Sequence, residues 1–151
     1  MSLAGFDHIF QDAAPQDVGD GLIYKVVPPP ILALLKIASY LDDPRRRAKD
    51  LLDFRSIMKR YERDSDRIFS DVVFGADLPD VEFTGAFLLG LDLRAIATEA
   101  DGSLVELFVT KMKHSEVSIG KPLSADDDWA THDASHFQQQ LAAFWKGFKG
   151  Q

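Results

Sequence analysis

The chain contains no cysteine, which excludes disulfides, thiol nucleophiles and cysteine–zinc sites. No apolar run approaches the roughly 20 residues that a membrane-spanning helix needs. The opening Met1-Ser2-Leu3-Ala4-Gly5 has neither a basic segment nor a long apolar one, so no signal peptide is expected and the cytoplasm is the expected location. Positive charge is short as well. Seventeen Lys and Arg against 24 Asp and Glu leave a net charge of −7, which makes nucleic acid an unlikely general partner, because such binding needs a cationic face. The basic residues do cluster between Arg45 and Arg67, which leaves room for a local cationic strip on an acidic protein. The only Gly-x-Gly is Gly19-Asp20-Gly21, a turn signal rather than a phosphate loop.

What is present is enough for one core. Hydrophobic residues make up 46% of 151 residues and include eleven phenylalanines, a composition that folds rather than staying disordered. A chain of this length buries roughly 70% of its unfolded surface as a single domain. The periodicities describe an α+β fold that is mainly α: a short N-terminal helix and a β-hairpin, followed by a bundle of five to six helices. Residues 4–27 hold the helix, over 5–13, and the hairpin. Gln16 to Val18 is its first arm and the β-branched, aromatic run from Leu22 to Val27 its second. Two strands alone are marginal in water, so this sheet reads as the edge of something larger.

Residues 28–114 form the helical body. Pro28-Pro29-Pro30 opens a helix with a stripe of Ile31, Leu34, Leu35, Ala38 and Leu41, ended by Asp42-Asp43-Pro44. A second helix is expected over 45–62 and a shorter one, capped by Asp64-Ser65-Asp66, runs through Val73. A very apolar helix follows over 81–98, whose Gly85 and Gly90 imply close packing, and Ser103 is expected to cap the next. Residues 115–128 are a polar linker, and the C-terminal helix spans 129–149.

The chemistry-bearing candidates lie on the first two long helices. Lys36 interrupts an apolar helix, and its ordinary reading is a snorkelling side chain with a solvated head. Asp50 and Asp53 share a helical face, and Lys49 and Asp53 are spaced to form an ordinary surface pair worth about 0.3–0.5 kcal/mol. The sharper expectation is that Lys36, Lys49, Asp50 and Asp53 converge on one cleft wall. His132 and His136 have a zinc-compatible spacing but no third ligand, so a solvated helix face is expected there, and no metal site is assigned. Asp126-Asp127-Asp128 is explained as a helix cap.

The order of these segments carries a resemblance. Gly5-Phe6-Asp7-His8-Ile9-Phe10, a hairpin, Val26-Val27-Pro28-Pro29, Leu35-Lys36, Lys49-Asp50-Leu51-Leu52-Asp53 and Gly85-Ala86-Phe87-Leu88-Leu89-Gly90 together resemble the distal part of AbiEii-type nucleotidyltransferases. These are the toxin components of abortive-infection toxin–antitoxin systems, within the DNA polymerase beta-like nucleotidyltransferase superfamily. The resemblance covers at least residues 5–97. It implies that Lys36, Arg47 and Lys49 serve nucleotide phosphate and that Asp50 and Asp53 serve catalysis.

The family's Gly-Ser turn followed by Asp-x-Asp on a strand, which binds magnesium and the nucleoside triphosphate, has no counterpart before Gly5. Asp43 and Leu91 stand where members commonly have arginine. The resemblance therefore implies a nucleotidyltransferase part that is inactive alone and needs no cofactor by itself. Magnesium and a nucleoside triphosphate would enter if a missing half completed it. That half or a cognate antitoxin are the implied partners. The alternative is a non-catalytic helical module that docks to a partner chain or forms a homo-oligomer through the strand edge from Leu22 to Val27.

Overall fold

The computed structural model describes residues 13–114 and 133–150. The helix expected over 5–13, the linker over 115–128 and the first residues of the C-terminal helix lie outside the described residues, as do His8, His132 and Asp126-Asp127-Asp128. Within them the chain is mainly helical: a two-stranded antiparallel hairpin followed by six α-helices. No described helix is long and apolar enough to cross a membrane.

The hairpin pairs β1 (Ala14–Asp17) with β2 (Ile23–Val26), Ala14 opposite Val26 and Asp17 opposite Ile23. Its first arm therefore starts before Gln16, and Val18 belongs to the turn. Three successive positive φ angles, 107° at Gly19, 53° at Asp20 and 73° at Gly21, reverse the chain, and two of the three positions are glycine, which tolerates them without strain. The Val18 N–H donates to the Leu22 carbonyl at 3.0 Å and the Gly19 N–H to Asp17 Oδ1 at 2.9 Å. Every residue of both strands is exposed.

Helix α1 (Pro29–Asp42) starts without a side-chain cap, its proline first turn needing fewer partners for its N–H groups. It buries Ile31, Ala33, Leu34, Ile37, Ala38 and Tyr40. Leu35 and Leu41, expected in that stripe, are only half-buried. Helix α2 (Ala48–Arg60) is shorter at both ends than the expected 45–62. At its start Asp43 holds the chain in a turn: its carboxylate accepts from the Arg46 N–H at 3.2 Å and its carbonyl from the Arg47 N–H at 2.9 Å. At its end Tyr61 turns extended and Glu62 is left-handed, φ 53°, so the helix cannot continue. The expected short helix is two pieces, a 3₁₀ turn (Asp66–Phe69) and the single-turn α3 (Asp71–Phe74), divided at Ser70.

A second 3₁₀ turn (Val81–Phe83) leads into α4 (Thr84–Ile96), which is buried from Thr84 through Gly90. It packs most closely on α6 (Asp133–Lys149). A Cβ placed on Gly90 would strike the Phe144 carbonyl oxygen, and one on Gly147 the Phe87 carbonyl oxygen, so the two helices cross backbone to backbone. Arg94 adds a hydrogen bond to the Lys149 carbonyl at the end of α6. The core is finished by edge-to-face rings: Phe54 sits 5.3 Å from Phe108 and 5.2 Å from Phe144.

Helix α5 (Glu99–His114) begins earlier than Ser103. Thr98 and Asp101 form a reciprocal cap, the Thr98 N–H donating to Asp101 Oδ2 at 2.9 Å and the Asp101 N–H to Thr98 Oγ1 at 3.3 Å. Ser103 is already inside the helix, bonded to the Glu99 carbonyl.

Candidate functional site

Helices α1 and α2 lie against each other with a seam between them. Pro29, Leu32 and Lys36 form one row on α1 at helical spacing, and Asp53, Ser56, Ile57 and Arg60 form one row on α2. These rows, with Tyr61 and Glu62 just past the end of α2, line an open cleft of about 650 Å³. The opposite face of α2, Leu51, Phe54, Arg55 and Met58, points into the core.

Lys36 is the centre of the polar chemistry. Its Nζ donates to Asp50 Oδ1 at 2.8 Å and to Asp53 Oδ2 at 2.7 Å. Asp50 is 8% exposed and its other oxygen accepts from Ser39 Oγ at 2.7 Å, with Arg47 3.9 Å away. Burial opposes charge on Asp50, but the hydrogen bonds from Lys36 and Ser39 and the charges of Lys36 and Arg47 outweigh it and hold the carboxyl below its ordinary range. Burial also opposes charge on Lys36, and the two aspartates outweigh it, raising its pKa. Lys36 is thus a fully ionised ammonium whose position is fixed by two carboxylates.

The five expected site residues divide. Lys36 and Asp53 line the cleft. Asp50 lies behind them, engaged by Lys36 and Ser39, and its part is to position the lysine. Arg47 is exposed, and among the described residues its side chain reaches only Asp50. Lys49 does not join the cleft wall: it is exposed and makes no ion pair among the described residues. One residue along a helix is a rotation of about 100°, which turns Lys49 away from Asp50, the residue that faces Lys36, and toward solvent. The surface pair between Lys49 and Asp53 is likewise absent among the described residues, because Asp53 is bonded to Lys36 instead.

Three contributors were not anticipated. Ser39 is a hydroxyl one helical turn from Lys36, so its role was legible only once Asp50 was known to face it. Arg60 sits two turns beyond Asp53 on the same face, a spacing that marks it in hindsight as the second cation of the cleft. Tyr61 lines the cleft and donates to Asp92 Oδ2 at 2.6 Å, while Arg67 grips both Asp92 oxygens at 2.7 and 2.8 Å. The Arg67 bidentate pair, helped by Glu62 at 3.4 Å, fastens the end of the cleft to α4. Burial opposes charge on Asp92, yet Arg67 and Tyr61 hold its pKa down, and burial together with Asp92 pushes the Tyr61 hydroxyl up.

Two members of the basic cluster between Arg45 and Arg67 are engaged elsewhere. Arg67 is spent on Asp92, and Arg55 is buried, its pKa lowered by burial to about 10. Arg55 donates to Gln140 Oε1 at 3.2 Å and to His136 Nδ1 at 3.3 Å, and His136 Nε2 lies 3.0 Å from Glu82. His136 therefore ties α6 to α2 and to the second 3₁₀ turn. Among the described residues no three His, Asp or Glu side chains come together to hold a metal. Gly102-Ser103 lies inside α5 and Asp64-Ser65-Asp66 in the turn region before the first 3₁₀ turn, neither on a strand.

No family model, curated protein or solved structure matches this chain.

Proposed function

We propose that these residues are the helical, phosphate-side part of a nucleotidyltransferase of the AbiEii toxin type. The observation that carries the reading is Lys36, an ammonium held at a cleft edge by carboxylates 14 and 17 residues further along the chain. The order of the segments from the hairpin to Gly85-Ala86-Phe87-Leu88-Leu89-Gly90 supports it as well. In this reading Lys36 and Arg60 offer phosphate a compact charge and a planar one across the cleft. Asp53 keeps one oxygen toward the cleft to accept from a ribose or acceptor hydroxyl. Asp50 orients Lys36 and Arg47 supplies charge at the rim.

Magnesium ions, which stabilise the attacking and leaving oxygens in this chemistry, would come with a complementary half carrying its own paired aspartates. The reading includes a cytoplasmic setting and a cognate antitoxin or that half as partner.

The test is equilibrium binding of labelled nucleoside triphosphates with magnesium, alongside an assay for nucleotidyl transfer. Expected are weak binding that Arg60→Ala reduces several-fold without altering the fold, binding retained by Lys36→Arg and lost by Lys36→Gln, and no transfer by the chain alone. Binding indifferent to both Lys36 and Arg60, or turnover by the isolated chain, overturns the proposal.

A further inference from the structure

The hairpin has two outer edges and they are not equivalent. The Val18 N–H bonded to the Leu22 carbonyl sets the phase of the ladder, and pairs alternate from there. Gln16 with Tyr24 and Ala14 with Val26 then point their backbone groups inward, while Asp17, Pro15, Ile23 and Lys25 point theirs outward. Pro15 fits this phase, since a proline has no N–H to lose at an outward position. It also blunts the β1 edge. The β2 edge keeps both outward N–H groups and both carbonyls, at Ile23 and Lys25, and pairs with nothing among the described residues.

The two faces differ too. Side chains alternate along a strand, so Ala14, Gln16, Val18, Leu22, Tyr24 and Val26 share one face. Its large members stand in water, Tyr24 at 56% and Leu22 at 55% exposure, and on the other face Ile23 is 70% exposed.

We infer that β2 pairs with β2 of a second copy of this chain, antiparallel and two-fold about Tyr24. The register follows from charge. Centring the axis on Lys25 sets two lysines directly opposite, which is destabilising, and centring it on Ile23 leaves Lys25 facing the Gly21 turn. Centring it on Tyr24 places each Lys25 opposite Ile23 of the other copy and forms four backbone hydrogen bonds. On that face Lys25 lies across Ile23 with Asp17 of the other copy next in line, and Asp17 Oδ1 is already held by the Gly19 N–H. On the opposite face Tyr24 meets its own equivalent at the close, non-hydrogen-bonded spacing, flanked by two Leu22–Val26 pairs. The result is a four-stranded sheet with Pro15 on each outer strand. Among the described residues a Cβ on Gly19 or Gly21 would touch nothing, so the turn itself leaves room beside the edge. The inference does not depend on the nucleotidyltransferase reading.

Sedimentation velocity on the full chain over a range of concentrations tests association, and cysteine linking tests the register. Because the chain has no cysteine, an introduced one reports alone. Expected are a concentration-dependent dimer, association weakened at least about tenfold by Lys25→Pro, which removes two of the four hydrogen bonds, and unchanged helical circular dichroism. Under mild oxidation Tyr24→Cys links two copies far faster than Ile23→Cys or Lys25→Cys, whose positions do not face themselves. A wild-type chain that stays monomeric at high concentration overturns the dimer, and equal linking at positions 23 and 24 overturns the register.

Discussion

Where α4 crosses α6, backbone touches backbone at Gly90 and Gly147 and the surrounding phenylalanines are buried. The hairpin, by contrast, leaves every side chain of both strands in water. Composition does not separate the two regions, since both are rich in large apolar side chains. A helix satisfies its backbone internally and needs only side-chain packing to be complete. A two-stranded sheet keeps unsatisfied outer edges and an uncovered face, so it is complete only in company. The helical body is therefore expected to hold the stability of the chain and the hairpin to hold an interaction.

The sharpest way to break that contrast is to push the helices apart. Gly147→Ala inserts a methyl group against the Phe87 carbonyl, with backbone on both sides and no side chain free to yield. The expected cost is at least about 3 kcal/mol, at the upper end for overpacking, or roughly 6–12 °C in thermal midpoint for a domain of this size. Thermal unfolding followed by circular dichroism checks it. A variant that melts with the wild type would mean that the crossing is not where stability resides.

The cleft charges come next. Lys36→Met leaves Asp50 buried with only Ser39 and a distant Arg47, for an expected loss of about 2 kcal/mol. That is less than the roughly 3–5 of a fully enclosed pair, because water reaches Asp53. Asp50 has a lowered pKa, so its contribution is present above the ordinary carboxylate value of 3.8 and disappears as pH falls through its depressed value. Lys36 has a raised pKa, so its contribution is present below the ordinary 10.5 and disappears as pH rises through the raised value. Denaturant titrations should show the gap between wild type and Lys36→Met near neutral pH and see it narrow in strong acid. A gap that is constant down to low pH would assign the loss to packing of the lysine stem instead.

The same contrast explains what the sequence disclosed. Helix identity was legible because a 3.6-residue apolar period survives in α1, α2, α4 and α5, and the hairpin because Gly-Asp-Gly permits little else. Helix ends were less so. Asp43 takes two N–H groups that α2 would otherwise have started on, and Thr98 competes with Ser103 as a cap and wins because Asp101 follows it at the reciprocal distance. In the cleft, the meeting of Lys36 with Asp50 and Asp53 was anticipated. Lys49 was misplaced, since a single position on a helix decides between cleft and solvent. Ser39 leaves no local pattern, because its contact with Asp50 is long-range, and the spacing of Arg60 from Asp53 gains meaning only once the cleft is known.

The smallest expected effect completes the comparison. Tyr24→Ser removes the largest side chain from the exposed face of the hairpin, yet it should change the unfolding free energy of the helical body by less than about 0.5 kcal/mol, the range of an ordinary surface substitution. The measurement belongs at a protein concentration low enough to keep the chain monomeric, because association would add its own stabilisation by mass action. A hairpin that stabilises the body would show a clear loss in that dilute sample. A hairpin that serves only an interface would show a loss that appears, and grows, as the concentration of chain is raised.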